Sequence, residues 1–382
     1  MPTMAERLMM TSPIPKVDMP IDRAEVFRLQ VPLAAPLVVF GKTIHAREYI
    51  MARVYAGEHV GTGIGLAREA DLEHVVRRVV FPHLLHQPVG AIRASWNQAR
   101  AAMRMIGESG LFARALAVVD IAQWDLLGHV LNAPLWRVLG GVSTAIPCLA
   151  IMGYYRDDGH GDGLRQEAER VRATGYTRFK IPYGFEARRD PARISALREV
   201  VGDDALIALD VGGRFNSVKE ALALLKQVEP FKIDFLEDPF PAHQHALAIQ
   251  LARRTPIKIA FGESISLPSL MQTLASAKGV DIVRPDATHQ MGITGYLQGV
   301  APALESHTLI FPHYFPDIHA PLVAALGGWM VEESPISADT TAFHRLRSVD
   351  PRIEGGMWHL TEASGLGIRW DEDALVRFRV GT

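Results

Sequence analysis

The chain has 382 residues, 48% hydrophobic and 21% charged, with 40 Lys plus Arg against 42 Asp plus Glu and a formal net charge of −2. That composition belongs to a folded protein long enough for two domains, and it excludes both a disordered chain and a nucleic-acid binder working through a basic face. The lone Cys148 excludes an intramolecular disulfide and a thiolate metal cluster, and it suits a reducing compartment, so a cytoplasmic location is expected.

Taken in chain order, the first 20 or so residues read as a loose lead-in with no sustained apolar core of the signal-peptide kind. No stretch of 18 or more apolar residues occurs, so no membrane span is expected. From residue 23 to about 65, AEVFRLQVPL, HAREYIMARVYA and HVGTGIGLA predict a small antiparallel sheet, with a hairpin turning at Gly57-Glu58-His59. Helical patterns follow in DLEHVVRRVVFPHLL, SWNQARAAMRMIG and LFARALAVVDIAQWDLLGHVL, the last rich in Ala and closed by Asn132 and Pro134.

Beyond about residue 143 short apolar runs alternate regularly with helical segments. Strands are predicted at 144–153, 177–182, 205–211, 232–237, 257–262, 280–285, 307–312 and 328–332, with helices between them. This predicts an α/β fold: a (β/α)8-type TIM barrel, or the modified form (β/α)7β, with an N-terminal α+β capping domain. The expected boundaries are 1–140 for the cap, 141–340 for the barrel, and 341–382 for a segment returning to the cap.

A charged residue closes nearly every predicted strand. Asp210, Glu237 and Glu263 follow three successive strands, separated by 27 and 26 residues. Adjacent strands lie about 4.8 Å apart, so three such carboxylates can reach one ion. An all-oxygen set without Cys or His favours Mg²⁺ or Mn²⁺ over Zn²⁺. Asp286 and His313 end the next two strands, and a carboxylate that holds a histidine sets its tautomer for proton transfer. Lys180 lies across the barrel, either as a substrate-binding cation or as the ion-pair partner of a metal-ligand carboxylate. Tyr154, Tyr155, Arg156, Tyr183 and His45 are candidate substrate-side residues. His289 is a candidate rim residue, and His319 has no setting of this kind.

These residues resemble the enolase superfamily and, within it, the mandelate racemase group. LEDP at 236–239 and FGES at 261–264 are similar to its metal-ligand motifs, and RPD with FPH is similar to its Asp–His dyad. The resemblance covers nearly the whole chain. It implies Mg²⁺ on Asp210, Glu237 and Glu263, and catalysis by His313 and Asp286. It also implies a protonated glutamate after the eighth strand, Glu332 or Glu333, that donates a hydrogen bond to substrate carboxylate. The group's Lys-x-Lys appears here as Lys180-Ile181-Pro182, so the first, substrate-contacting lysine is kept and the second, a catalytic base, is proline. Where the group often has Asp-x-Asn, this chain has Asp210-Val211-Gly212.

The implied chemistry is removal of the proton α to a carboxylate. Racemisation needs a proton carrier on each face of the planar intermediate, and Pro182 is not one. β-Elimination needs only one face. The expected activity is therefore a Mg²⁺-dependent dehydratase, a hydro-lyase turning an acid sugar into a 2-keto-3-deoxy acid. The alternatives are a racemase, epimerase or other lyase of a 2-hydroxy acid, and a non-catalytic protein that binds metal and carboxylate. The expected partners are a small carboxylate and copies of this chain, as a dimer or octamer, with neither nucleic acid nor membrane. Specificity is expected in the capping segment Pro32–His45, whose APLVVFGK is apolar for a polyol.

Overall fold

The computed structural model describes residues 17–39, 42–155, 162–277, 279–335 and 340–381. Most of the predicted lead-in and the candidate Arg156 lie outside the described residues. The cap opens with three antiparallel strands, β1 (Arg23–Val39), β2 (Lys42–Ala56) and β3 (His59–Leu66). The β2–β3 ladder closes at Ala56↔His59, which leaves Gly57 and Glu58 as the turn. The segment expected to be a specificity loop is instead the far end of a long β1–β2 hairpin, with an irregularity between Pro32 and Leu37. Its Val38 N–H reaches Tyr155 O at 3.3 Å, so this arm docks on the barrel mouth.

The cap's helices are α1 (Leu72–Val75), α2 (Ile92–Ala102), α3 (Leu111–Leu131) and α4 (Leu135–Val138). The helix expected over 71–85 is broken into an α turn, a π segment (Val76–Val80) and a 3₁₀ turn (Phe81–His83). Pro82 lacks the N–H that a continuing α-helix needs. By contrast α3 runs the predicted length and ends at Asn132 in the left-handed conformation (φ +49°), which Asn tolerates better than most residues.

The barrel alternates β4 (Ala145–Ile151), α5 (Asp162–Ala173), β5 (Arg178–Pro182), α6 (Asp190–Val201), β6 (Leu206–Asp210), α7 (Val218–Val228) and β7 (Phe235–Glu237). It continues with α8 (His245–Ala252), β8 (Lys258–Phe261), α9 (Pro268–Ala275), β9 (Ile282–Val283), α10 (Gly292–Glu305), β10 (Leu309–Ile310), α11 (Pro316–Leu326) and β11 (Val331–Glu333). Each strand from β4 to β10 pairs in parallel with the next, and β11 pairs back onto β4. No helix follows β11 among the described residues before the tail begins, so the barrel is the (β/α)7β form. Between β10 and β11 no ladder forms among the described residues. The gap is bridged by Trp329 N–H to Ile310 O and Tyr314 N–H to Glu332 Oε1, both at 2.8 Å. The strands are short, apolar and buried on both faces, as a parallel sheet enclosed by helices requires.

The tail divides. β12 (Arg352–Glu354) and β13 (Met357–His359) form a hairpin that pairs with β4, so GGMWHL extends the barrel sheet instead of returning to the cap. The rest of the tail does return: Leu366 N–H reaches Asp125 Oδ1 on α3 at 2.7 Å, and beyond α12 (Glu372–Phe378) the short β14 (Arg379–Val380) pairs on β1. Cap and barrel are joined through α3. Asp120 accepts Thr294 N–H (2.9 Å) and Oγ1–H (2.6 Å), and Trp96 Nε1–H reaches Met291 O at 2.8 Å. No helix among the described residues is long and apolar enough to cross a membrane.

Candidate active site

The strand ends converge as their sequence spacing predicts. Asp210, Glu237 and Glu263 leave β6, β7 and the end of β8, and each places a carboxylate oxygen within 4.8 Å of the others. Glu237 is fully buried, and its Oε2 has no hydrogen-bond partner among the described residues. Burial first, and then Glu237, push the Asp210 carboxyl upward against the pull of Lys180. A buried orphan oxygen inside a cluster of mutually repelling carboxylates calls for a cation, and hard oxygen donors suit Mg²⁺. Asp238, the nearest competitor in sequence, turns away with φ +41° and accepts the Gly262 N–H at 3.0 Å.

Beneath the triad lies an ion-pair network. Lys180, 2% exposed, sits 2.6 Å from Glu237 Oε1, 2.7 Å from Glu332 Oε2 and 4.0 Å from Asp210 Oδ2. Arg284, fully buried, sits 3.2 Å from Glu237 Oε1 and 2.5 Å from Glu332 Oε2, and it donates to the carbonyls of Phe311 and Pro312. It thereby links a metal-ligand strand to the segment carrying His313. Burial favours a neutral Glu332, but Arg284 and Lys180 outweigh it and hold the carboxyl far below the usual range. Glu332 thus lies between two cations, a setting that favours its anion over the protonated donor that the resemblance implies. Glu333, the neighbouring candidate, takes the other face of β11 toward Arg347 and Asp317, and burial pushes its carboxyl up to about 8.

His313 Nδ1–H donates to Asp286 Oδ2 at 3.0 Å, which leaves Nε2 turned toward the triad, 3.2 Å from Glu263 Oε2. Burial pulls the imidazole's pKa down, but Glu263 and the Asp286 hydrogen bond outweigh it, and the net shift is upward. Asp286 is fixed in turn by Thr288, whose N–H (2.7 Å) and Oγ1–H (2.8 Å) both reach Oδ1. His319, assigned no setting from sequence, is buried behind this pair. Its Nδ1–H donates to Tyr314 O at 2.6 Å and its Nε2 accepts Ala287 N–H at 2.9 Å, so both loop backbones are pinned by one neutral ring.

A cavity of about 240 Å³ opens over these groups, lined on the barrel side by Tyr154, Lys180, Pro182, Asp210, Glu263 and His313. The cap contributes Val38, Arg47, Leu66 and Arg68. Tyr155 and Tyr314 also line it; Tyr183 does not, being buried with its phenol pushed to about 12 by burial and Asp190. Exposed His45 lines an adjoining groove of about 560 Å³ instead. His289 lines neither. Its Nδ1 takes a 2.8 Å hydrogen bond from Arg114, and burial followed by Arg114's charge drops its pKa to about 3. Arg284 and Tyr314 stand inside RPD and FPHYF, so their neighbours signalled them. Arg47, inside β2, and Arg68, just after β3, carried no signal, because a single arginine in or beside a strand is ordinary.

The family profile for the mandelate racemase / muconate lactonizing enzyme N-terminal domain matches residues 23–140, and the enolase C-terminal domain-like profile matches residues 163–374. The chain belongs to the mandelate racemase / muconate lactonizing enzyme family of the enolase superfamily. Among its relatives in that family, D-galactarolactone cycloisomerase of Agrobacterium fabrum is 31% identical over 301 residues, spanning 75% of this chain and 79% of that one. Arabinonate dehydratase of Saccharolobus solfataricus is 26% identical over 283 residues, spanning 73% and 75%. The fold matches that of L-talarate dehydratase from Polaromonas sp. JS666, solved with Mg and L-glucarate, at a TM-score of 0.84 and 21% identity over 95% of this chain and 98% of that one.

Proposed function

We propose that this family member is a Mg²⁺-dependent dehydratase of an acid sugar, a carbon–oxygen lyase that gives a 2-keto-3-deoxy acid. The observation that carries the reading is a single Asp286-held imidazole at the edge of the carboxylate triad, with Pro182 where a second base would stand. Relatives named arabinonate dehydratase and D-gluconate dehydratase support the substrate class, the latter with 56% of its own length spanned.

In this reading Asp210, Glu237 and Glu263 hold Mg²⁺, which when bound neutralises the charge that develops on the substrate carboxylate as the α-proton leaves. His313 Nε2 takes that proton from C2. Asp286 steadies the imidazolium through Nδ1 and keeps Nε2 facing the cavity. The C2–H electrons form the C2–C3 double bond, the C3–O bond breaks, and Nε2–H gives its proton to the departing hydroxyl so that water leaves. The enol then tautomerises to the ketone. Lys180 and Arg284 anchor Glu237 and Glu332, keeping the floor of the site in one geometry. The same single base is the argument against racemisation, and the retention of both the triad and the dyad is the argument against a non-catalytic role.

A second reading is favoured by the identity to D-galactarolactone cycloisomerase: the group at C3 would be a lactone oxygen. We also read the enzyme as cytoplasmic and homo-oligomeric, as a dimer or octamer.

The test is turnover with Mg²⁺ across a stereochemically complete set of aldonic and aldaric acids, assaying 2-keto-3-deoxy products. His313→Asn is expected to lower kcat at least 10³-fold on every accepted acid. Silence across the set with Mg²⁺ bound would overturn the acid-sugar reading, and products formed only from lactones would replace it with the second.

A further inference from the structure

Two phenols enter the active-site cavity, and the chemistry proposed for it uses neither. Tyr154 stands just past β4 and Tyr314 just past β10, on either flank of β11, and both line the cavity beside Lys180, Pro182 and His313. Tyr314 is held there against its backbone preference. It and Phe315 are successive left-handed residues, φ +55° and +42°, without the glycine that adopts such a turn freely. Two buried groups fix the turn: Glu332 Oε1 accepts the Tyr314 N–H at 2.8 Å, and His319 Nδ1–H donates to Tyr314 O at 2.6 Å. Glu332 thereby gives one oxygen to Lys180 and Arg284 and the other to this turn. The turn lays the Tyr314 ring along the His313 imidazole, with ring centroids 4.9 Å apart and planes at 31°.

Strain alone names no ligand; the hydroxyls do. Arg47 Nη2 donates to the Tyr314 hydroxyl across 3.4 Å, and the Tyr154 hydroxyl hydrogen-bonds that of Tyr314. Two phenols hold two hydrogens, and their mutual bond uses one. The pair is left with one hydrogen to give and with lone pairs to receive, and no further acceptor for that hydrogen stands among the described residues. Burial holds the Tyr154 phenol well above its ordinary pKa, so it is a neutral hydroxyl near pH 7. A donor and an acceptor side by side match an alcohol. A carboxylate would use the donor only, an ammonium the lone pairs only, and a methyl neither.

We propose that Tyr154 and Tyr314 are specificity-determining residues that together hold the substrate's C4 hydroxyl, the first beyond the reacting C2–C3 pair. The position follows from His313, whose Nε2 serves C2. A ring packed along that imidazole, with its hydroxyl toward Arg47 of the cap, meets the substrate chain on the side away from the triad. This rests on the acid-sugar reading and narrows it. The acid must have a chain of four carbons or more, with a free hydroxyl at C4.

The test compares, on the Mg²⁺-loaded enzyme, the acid of the aldonic and aldaric set with the highest kcat/KM and the 4-deoxy analogue of that acid. Loss of the C4 hydroxyl is expected to lower kcat/KM at least about 100-fold, because a site built to bond a hydroxyl is left unpaired by an analogue without one. In Tyr314→Phe and in Tyr154→Phe that ratio is expected to shrink at least about 10-fold, because the partner of the missing group is itself gone. Each variant keeps its aromatic ring, and Tyr314→Phe keeps the packing on His313. A merely structural effect would lower both acids alike and leave the ratio unmoved. Equal turnover of the two acids, or a ratio unmoved in both variants, would overturn the proposal while leaving the dehydratase intact. Silence on every acid of the set would remove the dehydratase reading and this proposal together.

Discussion

Asp286 spends its two oxygens differently, and that division decides what His313 can do. Oδ1 takes both Thr288 donors and Oδ2 takes the imidazole Nδ1–H. In Asp286→Asn, Thr288 selects the amide oxygen for its own side and presents the amide NH₂ to His313. Nδ1 must then accept, which moves the ring proton to Nε2 and removes the base. We expect kcat to fall on the order of 10³- to 10⁴-fold, the scale found when an orienting aspartate is changed this way in a serine protease. Mg²⁺ affinity, read by calorimetry, should hold within about threefold, because Asp286 is not one of the triad. A loss of metal binding equal to the loss of rate would refute this division of roles. The positions of His313, Asp286 and the triad were legible because each ends an apolar strand. Glu332 was legible only as one of two candidates, and its charge state was not. That state depends on Arg284 and Lys180, which converge on it from strands far apart in the chain.

At the scale of elements, the cap sheet and α3 approach more closely than side chains permit. A Cβ at Gly63 would lie 2.0 Å from Val118 O, and one at Gly61 would lie 2.1 Å from Ala122 O. Both obstacles are helix backbone, which yields little. Gly63→Ala is therefore expected to destabilise by about 1–3 kcal/mol, the range for overpacking a tight core. Urea denaturation checks it, and an unchanged midpoint would mean that α3 is free to shift. From the helix side the contact falls in the Ala-rich stretch, with Ala122 backbone against both glycines. The reverse case is the turn after His313: Tyr314 and Phe315 are both left-handed (φ +55° and +42°), with no glycine to announce it. His319 and Glu332 fix Tyr314 there by backbone hydrogen bonds from elements later in the chain.

Across the whole molecule, two buried carboxyls outside the triad tie stability to pH. Burial pushes Asp120 from 3.8 to about 7, against its hydrogen bonds from Thr294, and pushes Glu333 from 4.5 to about 8, against Arg347. Each is raised in the fold, so the folded state holds the proton longer than the unfolded chain. Their stabilising contribution is complete below about pH 4 and fades as pH rises to about 7 for Asp120 and about 8 for Glu333. Denaturation midpoints measured from pH 5 to 8 should decline, and Asp120→Asn with Glu333→Gln should flatten that decline. Retention of the full slope in the double variant would assign it to other groups.

The sequence by itself determined the alternating barrel, the small antiparallel cap, the metal triad and the His–Asp pair. Each of these is written locally, as an apolar period of strand or helix with a charged residue where the strand stops. Only the tertiary structure decided which glutamate of Glu332 and Glu333 faces inward, that Tyr183 and His45 stand outside the cavity, and that GGMWHL joins the barrel. The placing of Arg47 and Arg68 over the barrel mouth belongs to the same class. These are meetings of side chains and strands from distant parts of the chain, and no local pattern in either partner specifies the other.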